Sequence, residues 1–297
     1  EIIYDYGLTI HQLKLIRSDD SLIDVIHGHE NPQALENNPF AFSGTLMIPY
    51  VGRVLNATYT FKGRTYYLPI NTKNGHAIHG LLYNKSWKIN RILESNSFSS
   101  IEFEHIIKPG DFRGYPFHLK VNVKMTFNLN GLQIETKAEN LGNCDLPLSF
   151  GWHPYIRVST SSIDEYFLSF SAEELIVLDE VNKVPTGEII PIKKSPLDFR
   201  DLKRIGSLIM DNTFRSLKYE KGKAYTKIYN SNMDFGVQLW QDRNFSYLNI
   251  YTPKHRKSIA IEPLTGAPNC FNVPEFGLKI LHPREKIEAT FGIQKIL

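Results

Sequence analysis

Charge of one sign, cysteine and long apolar runs are what this chain lacks. The 34 basic residues face 31 acidic ones, a net of +3 over 297 residues. That balance gives no electrostatic footprint for nucleic acid or an anionic membrane. Basic residues are scattered apart from Lys193-Lys194 and His255-Arg256-Lys257, which read as solvated surface. Only Cys144 and Cys270 occur, without CxxC or Cys/His metal spacing. Two buried free thiols are expected rather than a disulfide, which points to a reducing compartment. No apolar run approaches the ~18 residues of a membrane span. The start, Glu1-Ile2-Ile3-Tyr4-Asp5, has neither the basic nor the apolar region of a signal peptide. A soluble, cytoplasmic protein is the expectation. Also missing are a GxSxG elbow, a phosphate-cradling Gly-rich loop and an HExxH pair.

Strand signals are abundant. Residues 119–129 alternate apolar and polar side chains without a break, so one face is buried and the other wet. Asn130-Gly131 follows, then a second alternating run over 132–138, which predicts a hairpin. The same grammar recurs over 57–67, broken at Lys62-Gly63, and over 224–229 leading through Asn230-Ser231-Asn232 into 235–240. Residues 247–251, 258–262 and 286–293 also read as strands. Helical turns are expected only around 172–175 or 207–210. No repeat or low-complexity linker divides the chain, and the 16 prolines and 19 glycines punctuate it throughout. These features predict an all-β fold, one large antiparallel β-sandwich domain over 1–297. In such a fold, residues distant in sequence meet on a concave sheet face or at loop ends.

Four patches place polar groups beside turns and strand ends. Arg53 follows the apolar run Met47-Ile48-Pro49-Tyr50-Val51-Gly52; it is either a surface arginine or a donor fork for substrate oxygens. His76 and His79 lie in Asn74-Gly75-His76-Ala77-Ile78-His79-Gly80, a loop with no nearby carboxylate or cysteine to complete a metal set. His153 stands in Gly151-Trp152-His153-Pro154-Tyr155; a lone histidine there is ordinarily structural, but it is also the side chain that titrates near neutrality. Glu262 ends the apolar strand Ile259-Ala260-Ile261 and precedes Pro263-Leu264-Thr265-Gly266. A buried carboxylate is costly unless partnered, and burial raises its pKa toward that of a working base. A two-carboxylate glycosidase stays open by pattern, but the best-placed pair is one His and one Glu.

Taken together the patches resemble the aldose 1-epimerase, or galactose mutarotase-like, family over roughly residues 8–293. Gly52-Arg53 resembles its Asn-Arg segment, His76-Ala77-Ile78-His79-Gly80 its Leu-His-Gly-Gly loop, and Gly151-Trp152-His153-Pro154-Tyr155 its His-x-Tyr-Phe segment. Val184-Pro185-Thr186-Gly187-Glu188, Asp198-Phe199-Arg200, Asp211-Asn212-Thr213-Phe214 and Ile261-Glu262-Pro263 follow in the family's order. The resemblance implies a supersandwich with a monosaccharide on its concave face and neither metal nor organic cofactor. It further implies His153 as general acid and Glu262 as general base, with Arg53, His79 and Asp211 holding sugar oxygens. Tyr155 would line the site, and Asn249 falls where many members have glutamine. The reaction implied is anomer interconversion: the base takes the anomeric proton, the acid protonates the ring oxygen, and the ring recloses on the other face.

The chain departs from the family wording in three places. Gly52 replaces the asparagine before the arginine, Leu81 follows Gly80 where a second glycine is usual, and Pro154 separates His153 from Tyr155. The motifs resemble a bacterial-type branch more than the galactose-specific enzymes, so a free hexose or pentose is expected rather than galactose in particular. A hexose-phosphate mutarotase, with Lys254, His255, Arg256 and Lys257 as rim cations, is one alternative. A non-catalytic carbohydrate-binding protein of the same fold is the other. Nothing in the sequence bears on oligomeric state.

Overall fold

The alternating runs build the larger of the two main sheets, which two-stranded ribbons flank among the described residues. In the computed structural model, which describes residues 1–37 and 42–296, Leu119–Asn128 and Gly131–Asn140 pair as the expected hairpin. Every second side chain of Leu119–Asn128 up to Met125 is buried, as its period-2 pattern requires. Nine strands follow in the order Lys88–Glu94, Ser99–Ile107, Leu119–Asn128, Gly131–Asn140, Lys286–Lys295, Gly236–Asp242, Lys223–Tyr229, Phe167–Phe170 and Lys203–Arg204.

A second sheet runs Pro185–Pro191, Glu174–Leu178, Asp211–Arg215, Tyr247–Tyr251, Ile259–Leu264, Gly151–Trp152 and Leu46–Met47, with Tyr155–Ile156 also pairing to Ile259–Leu264. All pairings within both sheets are antiparallel. Their facing sides share one hydrophobic core. Phe170 of the larger sheet meets Phe214 of the smaller at 4.6 Å between ring centroids, and Trp152 meets Phe291 at 5.9 Å. Trp152 is fully buried, and its indole N–H donates to Thr136 Oγ1 across the two sheets at 3.1 Å. This residue anchors the short strand Gly151–Trp152 that leads directly into His153. The architecture is therefore the expected antiparallel β-sandwich.

Three local expectations fail. Residues 172–175 lead into the strand Glu174–Leu178, because pairing with Asp211–Arg215 buries Leu175 and Ile176. Residues 207–210 form a turn and extended chain rather than a helix. Among the described residues the α-helix that forms is the six-residue Pro32–Asn37, in a region without apolar periodicity. Cys270 is buried with its thiol 3.3 Å from Ser149 Oγ, but Cys144 is exposed. It sits on a bend after Gly131–Asn140, where the fold uses its carbonyl, which accepts from Asn140 Nδ2 at 2.8 Å. No helix among the described residues is long and apolar enough to cross a membrane.

Candidate active site

Sheet register brings the site together. Thr213 pairs with Asn249, and Asn249 with Glu262. The flanking pairs Gly151–Leu264 and Tyr155–Ala260 leave His153 opposite Glu262. One row is thus Thr213, Asn249 and Glu262 on three adjacent strands, continued by His153 on the link between Gly151–Trp152 and Tyr155–Ile156. Two residues along lies a second row, Asp211, Tyr251, Ala260 and Tyr155. Side chains in both rows point away from the core, since alternation sends Phe214, Leu248, Ile250, Ile259 and Ile261 inward.

The rows floor a cleft of about 310 Å³. His153 Nε2 lies 3.5 Å from Glu262 Oε1, and both side chains are almost wholly buried. Thr213 Oγ1 donates to Asn249 Oδ1 at 2.9 Å, which turns the amide so that Asn249 Nδ2 donates to Glu262 Oε1 at 2.8 Å. Burial pushes the Glu262 carboxyl up to about 8; the Asn249 hydrogen bond opposes this and Asp211 adds to it. Burial also lowers the His153 imidazole to about 4. At neutral pH the pair therefore holds one proton. Burial thus favours the uncharged form, and Coulomb attraction between imidazolium and carboxylate at this separation offsets part of that preference.

The backbone holds His153 from both sides. Its N–H donates to the Thr45 carbonyl at 3.1 Å, and its carbonyl accepts from Gly44 N–H at 2.8 Å. Pro154 fits because its carbonyl still accepts from Ile261 N–H at 3.2 Å and no partner is required for a proline nitrogen. The Tyr155 ring stacks on His153 at 5.0 Å and 12°. Burial, reinforced by Glu262, Tyr251 and Asp211, raises the Tyr155 phenol well above its ordinary range, so it stays a donor.

Two loops close one end of the cleft. Arg53–Val54 pairs with Ala77–Ile78, so Arg53 and His79 arrive side by side. The His79 N–H donates to the Gly52 carbonyl at 3.0 Å, and the Arg53 carbonyl accepts from Asn269 N–H at 2.7 Å. His79 has a left-handed backbone, φ 58°, and its ring stands edge-on to His153 at 5.1 Å. Burial, with His153 and Arg53 beside it, holds its imidazole neutral. Gly80 is required, since a Cβ there would sit 2.1 Å from the Ile48 carbonyl oxygen. Gly52 is required as well: a Cβ would meet Pro268 at 2.7 Å, so Pro268 fills the space an asparagine side chain would need. His76 does not line the cleft. Its Nδ1 accepts from Asn56 N–H at 3.0 Å, which puts the proton on Nε2, 3.2 Å from Asn182 Oδ1. It ties down the loop carrying Lys183. Among the described residues no His, Cys, Asp or Glu cluster is arranged to hold a metal.

Arg53, His79, His153, Tyr155, Asp211, Asn249 and Glu262, all singled out in the sequence, line this one cleft. Phe42, Leu178, Lys183, Tyr251 and the Thr213 hydroxyl were not singled out. Period-2 alternation from Asp211 and Asn249 reaches Thr213 and Tyr251. Lys183 lies in a loop, where no period applies. Of the rim cations, Arg256 is engaged elsewhere, with Asp164 at 2.6 Å and the carbonyls of Leu208 and Gly206.

A family model described as aldose 1-epimerase matches residues 2–294. The chain is 29% identical over 245 residues to the uncharacterized protein YihR of Escherichia coli (strain K12), covering 81% of this chain and 75% of that one. It is 26% identical over 319 residues to the galactose mutarotase of Sus scrofa, covering 97% and 88%. Among solved structures, the GalM/aldose epimerase homologue from C. elegans aligns with a TM-score of 0.85 at 22% identity, covering 99% of this chain and 94% of that one. At that identity the likeness is one of fold.

Proposed function

Because the chain belongs to the aldose 1-epimerase family, whose members are carbohydrate isomerases, we propose that it interconverts the α and β anomers of a free aldose, with Glu262 as general base and His153 as general acid. The observation that carries this reading is the His153–Glu262 pair, 3.5 Å apart in a cleft of about 310 Å³.

In the working form the pair is carboxylate and imidazolium. Glu262 takes the proton from the anomeric hydroxyl. The O–H electron pair becomes the C1=O1 bond, the C1–O5 bond breaks, and the departing ring oxygen takes the Nε2 proton of His153. Rotation about C1–C2 turns the carbonyl over. On closure O5 attacks C1, His153 recovers its proton from O5, and Glu262 returns one to O1. The proton inventory closes without solvent. Each group contributes roughly 10²–10⁴-fold if poised near the working pH. Asn249 fixes the Glu262 carboxyl, and Thr213 fixes Asn249. Arg53, neutral His79, Asp211 and the Tyr155 phenol supply donors and acceptors for the remaining sugar oxygens.

The test is polarimetry on freshly dissolved α-anomers across a panel of hexoses and pentoses. Acceleration by the protein, nearly abolished in Glu262→Gln, is expected. Saturable sugar binding with no acceleration of any member would replace the enzyme by a binding protein.

A further inference from the structure

Beyond Tyr155 and Tyr251 the sheet face continues into a second cavity of about 270 Å³, which shares both tyrosines with the cleft. We propose that this cavity is a subsite for a second, uncharged sugar ring, so that the reducing end of an oligosaccharide reacts at His153 and Glu262 while its next residue sits here. The inference rests on the mutarotase reading and names its substrate class.

Position is the first argument. Along the strand from Glu262, Ala260 marks the tyrosine row and Ser258 the cavity. At about 3.3 Å per residue the tyrosine row lies ~7 Å from Glu262, and Ser258 ~13 Å. The first step is about the length of one sugar ring; the second reaches the next.

Chemistry is the second. Three imidazoles line the cavity, those of His27, His29 and His255. Burial lowers the pKa of each, helped by basic neighbours: the His255 imidazole, Arg157 and Lys257 for His27, the His11 imidazole for His29, and Lys257 for His255. A neutral imidazole donates on one nitrogen and accepts on the other, as a sugar hydroxyl does. His255 Nδ1 accepts from Lys257 N–H at 3.0 Å, which leaves its Nε2–H as the donor. His27 Nδ1 is 2.9 Å from Ser258 Oγ. His29 Nε2 is buried and has no hydrogen-bond partner among the described residues. Flat surfaces complete the set. The His27 and His255 rings meet edge-on at 5.1 Å, and Tyr155 and Tyr251 at 6.4 Å. Arg157, a nearby cation, is already paired with Asp24 at 3.0 Å. The lining therefore offers hydrogen bonds of both senses and ring faces, the complement of a neutral saccharide.

The experiment measures kcat/KM for anomerisation of glucose, maltose, cellobiose and glucose 6-phosphate with the full chain, His255→Ala and His255→Gln. His255 is exposed, which makes the substitutions compatible with folding. The wild type is expected to accelerate at least one disaccharide. His255→Ala should lower kcat/KM for that disaccharide about 3- to 10-fold, the worth of one hydrogen bond. The loss should fall on KM, leave glucose unchanged, and be partly restored in His255→Gln, which keeps a donor. Acceleration of glucose without either disaccharide would overturn the proposal. So would an equal loss on glucose and disaccharide, or a loss confined to glucose 6-phosphate, which would make the subsite one for an anion. No acceleration of any sugar would refute the mutarotase reading itself and the subsite with it.

Discussion

Replacing Glu262 by Gln should make the protein more stable above neutrality while removing its activity. Gln keeps the shape and an oxygen that can accept from Asn249 Nδ2, so packing and the hydrogen bond survive. What disappears is the cost of ionising a carboxyl that is buried with a pKa of about 8 against an ordinary 4.5. A carboxyl whose folded pKa lies above its unfolded value is protonated in both states below 4.5, and costs nothing there. As pH rises from 4.5 to 8 the unfolded chain loses this proton while the folded one keeps it, so stability falls by about 1.4 kcal/mol per unit. The cost is about 3 kcal/mol near pH 7 and reaches an upper bound of about 5 kcal/mol above pH 8. His153 is common to both proteins, so its contribution largely cancels in the difference. Urea melts of the two proteins at about pH 5 and about pH 8.5 should therefore show midpoints that are close in acid and diverge in alkali, with the variant ahead. Equal midpoints at both pH values, or a wild type that is ahead in alkali, would refute a buried, proton-bearing carboxyl.

The remaining predictions concern the supports of the pair. The kcat/KM profile of the wild type should be bell-shaped, with limbs near 4 and 8, because activity needs one proton on the pair. Asn249→Ala removes a hydrogen bond that holds the Glu262 pKa down, so its alkaline limb should move to higher pH; an unmoved limb would contradict the relay. Trp152→Ala should cost about 3–5 kcal/mol in denaturant melts, from the cavity it opens between the sheets. Gly52→Asn should destabilise by about 1–3 kcal/mol through overpacking against Pro268, read as a lowered melting temperature.

Much of the fold was legible because its strands obey one period. The hairpin joining Leu119–Asn128 to Gly131–Asn140 could be read from alternation and Asn130-Gly131 alone. The apolar strand Ile259–Leu264 announced Glu262 as an anomaly, a carboxyl within an otherwise apolar run. What alternation cannot give is which strands become neighbours. Asn249 and Glu262 meet between consecutive strands, but Thr213 and His153 join their row through pairings between segments far apart in sequence, which no local pattern encodes. Lys183 was hidden because loop positions carry no period. Cys144 was misjudged because cysteine's general preference for burial was outweighed by a backbone role at a bend. Trp152 had no assignable role until the second sheet supplied Thr136 and Phe291 as its partners.

The most direct test of the central claim is two-dimensional NMR exchange between the anomeric protons of a free aldose at equilibrium. The account predicts exchange cross-peaks that build up with wild-type protein concentration and fall at least about 10²-fold in both His153→Ala and Glu262→Gln, as loss of a general acid or base requires. Exchange unchanged in either variant, or no enhancement by the wild type with any aldose, would contradict it.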